Sequence, residues 1–422
     1  EGSYATDVND PYAKIIELKE MIAQLHQNGL RVIMDVVYNH MFDRLKSSFA
    51  QIVPNYYFRF GADGEVSNGS FCGNDLDSTQ KMMRKFIIDS AKMWIEEYGF
   101  DGFRFDLMGI LDLETMNRVA KECQKIDPNV MIYGEGWDMP TLMADDLKAM
   151  QDNSHQMPQV AHFNDRFRET IKGSTMEDEI EEQGYATGNN QAIKEAINVL
   201  AGSVIEVGTE KLFKQPTKSI NYVACHDNHT AWDKMSFSNQ SETEDIKVKR
   251  QKLMNALVLL AQGISFLHAG QEFHRSKSGV ENSYMSPDRI NQIDWDRKDQ
   301  YLDTVNYTKD LIKLRKQLKP LRFDTAQEIK EHLSFKTVTE GLIYEDGNIV
   351  DKGVLLYQIN DVQQYCDYEK ITIIINPTLN EVSYNLAEEL LLVFDQDGLV
   401  AEQEYYQQVD IKPLEVIVLL KE

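Results

Sequence analysis

Three acidic residues stand where apolar runs stop: Asp106 in GFRFDLMG (102–109), Glu135 in YGEGWD (133–138) and Asp227 in ACHDNHT (224–230). Arg104 lies two residues before Asp106, and that spacing puts both side chains on one face of a strand. Burying an arginine and an aspartate among apolar neighbours is unfavourable unless they pair or serve a site. Two further apolar runs end in Asn39-His40 and Asn164-Asp165. Carboxylates converging with His40, Arg104 and His226 suit acid–base chemistry on a neutral polyol, and the nearby tyrosines and tryptophans suit sugar rings.

Such a set meets the minimum for glycosidic cleavage, which needs two carboxyl groups with opposite tasks. One must be ionised to attack, and a neighbouring arginine favours that form; Asp106 has Arg104 on its own strand face. The other must carry a proton for the leaving oxygen. Glu135, between two glycines and beside Trp137, is the expected holder of a raised pKa. Asp227 is a third acid, suited to gripping sugar hydroxyls during distortion.

The elements that would position these residues alternate. Ile15, Leu18, Ile22 and Leu25 predict a helix ending at Gly29, followed by a near-continuous apolar strand over 31–38. A long loop runs to about Thr79. Met83, Ile87, Trp94 and Tyr98 mark the next helix, which leads into the strand of Asp106. A helix through Leu113, Met116, Ala120 and Cys123 precedes the strand 130–137. A weaker strand is expected at 159–163 and further strands at 220–225 and 264–268, with helices at 190–201, 247–262 and 300–318 between or after them. This rhythm predicts a parallel sheet, a closed barrel or a doubly wound sheet. In a (β/α)8 barrel all strand C-termini share the face that holds the site. Past Pro320 only short β-type runs follow, at 354–359, 371–375, 390–394 and 415–420, so residues 321–422 are expected to form a β-sandwich behind a barrel domain of residues 1–320.

Bulk properties narrow the ligand. The 422 residues carry a net charge of -24, which argues against nucleic acid, anionic membranes and polyanionic substrates. No apolar run approaches a membrane span. Four scattered cysteines without CxxC spacing read as free thiols, pointing to the cytoplasm, with a secreted or surface protein as the alternative if a signal lies upstream.

With these residues in view, the chain resembles the α-amylase superfamily of glycoside hydrolases and, within it, the type I pullulanases. Four motifs occur in order: DVVYNH (35–40), GFRFDLMG, YGEGWD and ACHDNHT, with 71, 29 and 92 residues separating Asp35, Asp106, Glu135 and Asp227. GEGW, HDNHT with Trp232-Asp233-Lys234, the segment 282–295 and the opening EGSYATD resemble the debranching members. The resemblance implies Asp106 as nucleophile, Glu135 as acid/base and Asp227 as transition-state stabiliser. It further implies that His40, Arg104 and His226 bind the cleaved sugar, and that Trp137, Asn228 and Asp288 line neighbouring subsites. A retaining cleavage of α-1,6-glucosidic links in pullulan, glycogen or limit dextrins follows; the alternatives are isoamylase-like or α-1,4-acting hydrolysis, or a non-catalytic α-glucan-binding fragment. No cofactor is required; the resemblance makes calcium possible, yet no ligand cluster specific enough to predict it stands out.

Only six barrel strands can be counted, so the first two of a (β/α)8 barrel are expected to precede Glu1 and to be supplied by an upstream segment. Plainer readings remain for several residues. Asp35 with Arg104 also reads as a buried ion pair, and Trp137 as core. Asn164-Asp165-Arg166 reads as a cap pinning a loop. Met82, Met83 and Met93 read as core packing, and residues 177–182 as a solvated helix face.

Overall fold

The computed structural model describes residues 5–337, 353–402 and 404–422. The first four residues of EGSYATD lie outside them. The chain forms two compact units, Glu1–Phe163 and Asn164–Glu422.

In the first unit the elements are α1 (Ala13–Gln27), β1 (Ile33–Val36), the short α2 (Ser48–Ile52), α3 (Lys81–Tyr98), β2 (Gly102–Phe105), α4 (Leu113–Gln124), β3 (Met131–Gly134) and β4 (Ala161–Phe163). The strands β1, β2, β3 and β4 are parallel neighbours in chain order, with Asp35 opposite Arg104 and Arg104 opposite Tyr133. Helix α3 buries Met83, Ile87, Ala91 and Ile95 at four-residue spacing. It stops at Gly99, whose φ of 80° lets the chain reverse and cap the Ile95 carbonyl. Asp112 caps α4 by accepting from Thr115 N. Against these helices lie Val36, Phe103, Phe105 and Ile132 of the strands, forming one apolar core; a side chain of this size contributes about 1.5–3 kcal/mol when fully buried. The methionine stripe is corrected: Met83 is core, whereas Met82 and Met93 face solvent.

The long segment between β1 and α3 is tied down by one carboxylate. Buried Asp75 accepts from Ser67 Oγ, Gly69 N, Ser70 N and Thr141 Oγ1. Burial alone would raise its pKa; these donors outweigh it and hold the carboxyl below the usual range.

In the second unit, Asn164 caps α5 (Asp165–Lys172), as expected, by accepting from Phe167 N. There follow α6 (Ile193–Leu200), β5 (Ser219–Asn221), α7 (Ala231–Ser238), α8 (Glu244–Leu260), β6 (Ile264–Ser265), α9 (Asp288–Asn291), α10 (Asp296–Gln300), α11 (Leu302–Gln317) and α12 (Ala326–His332). Strands β5 and β6 pair in parallel. The acidic run is solvated but forms only a 3-10 turn at Glu177–Glu179.

An antiparallel sheet closes the chain: β7 (Leu333–Thr337), β8 (Leu355–Asn360), β9 (Lys370–Asn376), β10 (Val382–Asp395), β11 (Gly398–Leu399), β12 (Tyr405–Ile411) and β13 (Glu415–Lys421). Its order is β11-β10-β13-β9-β8-β7, with β12 added on β10. Register shifts between Asn385 and Leu390 and between Leu392 and Phe394 let the long β10 bend and serve both halves. One face, with Tyr357, Ile373 and Val418, joins the core around Leu257 and Leu311. The other, with Leu356, Ile374, Val409 and Leu419, forms an apolar layer of its own.

Six parallel strands are thus described, at the six places the sequence indicates, and the fold class is α/β: six of the eight strands of a (β/α)8 barrel followed by an all-β sandwich. No helix of the described residues is long and apolar enough to cross a membrane.

Candidate active site

In the first unit the site is built around the C-terminal ends of β1, β2 and β3. Arg104, 7% exposed, points along the same side as Asp35 and Asp106, as the two-residue spacing requires. Its Nη1 donates to Asp35 Oδ1 and to Asp106 Oδ1, both at 2.9 Å, and its Nη2 donates to Glu135 Oε1 at 2.5 Å. One guanidinium therefore binds three carboxylates. Burial opposes its charge, but Glu135, Asp35 and Asp106 outweigh that and hold its pKa above the ordinary arginine value. The Asp35 side chain is 49% exposed, so this ion pair is not the buried one its strand position suggested.

Asp106 has a second anchor. Asn39, fully buried just past β1, donates from Nδ2 to the Asp106 carbonyl at 2.7 Å and to Oδ2 at 2.9 Å. His40 Nδ1 lies 2.5 Å from Asn39 Oδ1, which links His40 to the nucleophile candidate through Asn39. Glu135 Oε2 accepts from Leu107 N at 2.9 Å. Leu107 holds φ 38° and ψ 50°, a left-handed conformation unfavourable for leucine. That turn aims the amide at Glu135 directly after Asp106. Neither Asn39 nor the Leu107 amide is assigned to the site by the sequence alone; for Asn39 the one signal is its place beside His40 in DVVYNH.

Close backbone approach keeps these loops in contact. Gly109 N donates to the Glu135 carbonyl at 3.0 Å, and a Cβ on Gly109 would stand 1.9 Å from the Trp137 carbonyl oxygen. Gly136 has the same constraint, 2.3 Å from His162 Nδ1. A Cβ on Gly134 would lie 2.5 Å from the Phe105 carbonyl oxygen, so both glycines flanking Glu135 serve packing. The Trp137 ring is half-buried.

In the second unit the chain leaves β5 through buried Tyr222, Val223 and Ala224 and surfaces at His226 and Asp227, whose side chains are 60% and 53% exposed. His226 Nε2 lies 3.3 Å from Asp227 Oδ2. Asn228 follows at φ 58°, again a left-handed residue directly after a candidate acid, and donates from Nδ2 to Glu281 Oε1 at 3.1 Å. Asp288 opens α9 and is exposed. The structure thus joins Arg104, Asp106, Glu135 and His40 in one cluster and His226, Asp227 and Asn228 in another; the described hydrogen bonds tie the side chains of Trp137 and Asp288 to neither. Among the described residues no group of three or more His, Cys, Asp or Glu side chains is arranged to hold a metal ion.

Comparison with known proteins adds the following. A model described as "Alpha amylase, catalytic domain" matches residues 67–325. The chain is 42% identical over 390 residues to a pullulanase of Bacillus subtilis (strain 168), covering 92% of this chain and 52% of that protein. A crystal structure of a pullulanase from Anoxybacillus sp. LM18-11 complexed with maltotetraose is similar over 100% of this chain and 58% of its own, with 45% identity and a TM-score of 0.93. A type I pullulanase from B. subtilis complexed with maltose matches at 39% identity and a TM-score of 0.94, again covering 100% and 58%. The chain thus spans about half the length of the relatives it matches.

Proposed function

The chain belongs to the α-amylase family, and from that premise we propose that it is the catalytic part of a retaining glycoside hydrolase that cleaves α-1,6-glucosidic links in branched α-glucans such as pullulan, glycogen and limit dextrins. The observation that carries the retaining mechanism is the shared guanidinium: Asp106 and Glu135 bond to the two terminal nitrogens of Arg104. That arrangement suits a nucleophile and an acid/base about 5–5.5 Å apart. Asp106 attacks the anomeric carbon while Glu135 gives its proton to the leaving oxygen. Water, deprotonated by Glu135, then releases the sugar from Asp106 with overall retention. Glu135 enters the first step as an acid, so substrate must loosen its bonds to Arg104 Nη2 and Leu107 N. Asp227 steadies the sugar hydroxyls at the transition state. His40, Arg104 and His226 hold the cleaved sugar, and Trp137, Asn228 and Asp288 line the adjoining subsites.

Support for an α-1,6 specificity comes from the named relatives, and support for an α-glucan ligand from the maltotetraose and maltose bound to the similar structures. The open edge of β1, which pairs only with β2 among the described strands, supports completion of the barrel by further strands of the same protein. We keep residues 1–320 as the barrel domain and 321–422 as the sandwich. The four free cysteines support a reducing, cytoplasmic setting. Incubating the full-length protein with pullulan is the test: maltotriose as product supports this reading, and panose or no product overturns it. The chemistry calls for no cofactor, so dialysis against EDTA is expected to leave kcat unchanged.

A further inference from the structure

Behind Asp227 lies a lysine that the reaction as described does not use. Lys277 is 1% exposed, and its ammonium donates to two neutral carbonyls, His226 O at 2.8 Å and Glu281 O at 2.7 Å. Taking an ammonium out of water is unfavourable, and two carbonyl dipoles recover only part of the lost hydration. Burial accordingly pulls the Lys277 pKa down, and of the groups opposing that shift the charge of Asp227 is the largest, ahead of Cys225 and Asp233. The ammonium thus sits under the backbone of the segment that carries Asp227 and within its field.

The loop that carries Lys277 is fastened to the same segment at further points. Asn228 Nδ2 donates to Glu281 Oε1 at 3.1 Å, and His229 Nε2 lies 3.1 Å from the Gly279 carbonyl. Asp233 accepts from Ser276 Oγ at 2.5 Å and from Lys277 N at 2.7 Å. Both strands of this seam contain left-handed non-glycine residues, Asn228 at φ 58° and Ser278 at φ 55°. Such conformations are uncommon for residues with a side chain and are held here by the surrounding contacts. A loop-closing lysine needs no seam of this kind. A carboxylate that must meet a sugar ring from an exposed turn does, because the seam holds the backbone beneath a side chain that is itself 53% exposed.

We propose that Lys277 is a positioning residue for the reaction: it locks the His226–Asp227 turn and balances the Asp227 charge, an inference that rests on the reading of Asp227 as transition-state stabiliser. Because it acts on the transition state through Asp227, its loss lowers kcat and spares KM.

The experiment compares Lys277→Met, Lys277→Arg, Asp227→Asn and the double variant Lys277→Met/Asp227→Asn in the full-length protein with pullulan, with near-UV circular dichroism as a check on folding. Lys277→Met is expected to lower kcat roughly 10–100-fold with KM within about twofold. Lys277→Arg is expected to recover part of that loss. In the Asp227→Asn background, Lys277→Met is expected to cost less than about threefold more, since coupled sites are not additive. Wild-type kcat in Lys277→Met, a loss that multiplies onto Asp227→Asn, or failure of both single Lys277 variants to fold would each overturn the proposal. If Asp227→Asn itself keeps full kcat, the reading of Asp227 fails, and with it the ground for Lys277; a large loss in Asp227→Asn with none in Lys277→Met removes the lysine alone.

Discussion

Arg104 is the residue on which the first cluster turns. A single guanidinium offers planar, rigidly spaced donors to Asp35, Asp106 and Glu135, which a lysine ammonium on a flexible stem does not reproduce. Arg104→Lys is therefore expected to keep the charge and the fold while kcat on pullulan falls at least about tenfold. Arg104→Ala leaves the buried Glu135 carboxylate without its cation and is expected to cost about 3–5 kcal/mol of stability, read from urea midpoints. Asn39→Ala removes a hydrogen bond to the Asp106 carboxylate, and a loss of roughly 10–150-fold in kcat is expected with little change in melting temperature. The pairing of Arg104 with Asp106 was legible in the sequence because a period of two is a local property of a strand. The bond from Arg104 to Glu135 was not, because it depends on the register of β2 against β3.

At the scale of elements, strand ends are held by close backbone contact. Gly109→Ala would drive a Cβ into the Trp137 carbonyl oxygen, and a loss of roughly 1–3 kcal/mol is expected by chemical denaturation. The helices and loops of the second unit bury His268 and His274 in the neutral form. Burial, then Arg275 and Lys277, pulls His268 down to about 3. Burial, then Arg297, pulls His274 down to about 3 as well. Both folded values lie below the unfolded value of about 6.5. As pH falls past that value the unfolded chain takes up protons first, so this stability is fully present above about pH 6.5 and is lost progressively toward pH 3. Melting temperature is expected to fall between pH 7.5 and 5, and His268→Gln or His274→Gln is expected to shrink that fall. Strand β12 is not legible in the sequence. The largely polar, outward-facing β12 buries only Val409 and Ile411, so neither its hydrophobicity nor its alternation rises above that of a loop.

At the scale of the molecule, a net charge of -24 faces a substrate proposed to be uncharged. Screening then has no ligand charge to act on, and KM for pullulan is expected to change less than about twofold between 20 and 500 mM salt. A strong salt dependence would point to a charged ligand instead. The open edge of β1 makes a second expectation, resting on the proposal that further strands complete the barrel: turnover by residues 1–422 alone is far below that of a protein in which that edge is paired.

By itself the sequence determined the residue types that are unfavourable in a strand unless they do chemistry, the alternation of strands and helices, and the change of texture near Pro320. These depend on side-chain periodicity over a few residues, which no distant contact can hide. Only the tertiary structure decided that Arg104 is shared among three carboxylates, that Asn39 holds Asp106, and that Leu107 turns left-handed to aim its amide at Glu135. Each joins groups from neighbouring strands or loops whose spacing is set by long-range register and close packing. The apolar stretch that carries Arg104 and Asp106 announces that a site exists; its neighbours in space say how the charges are held.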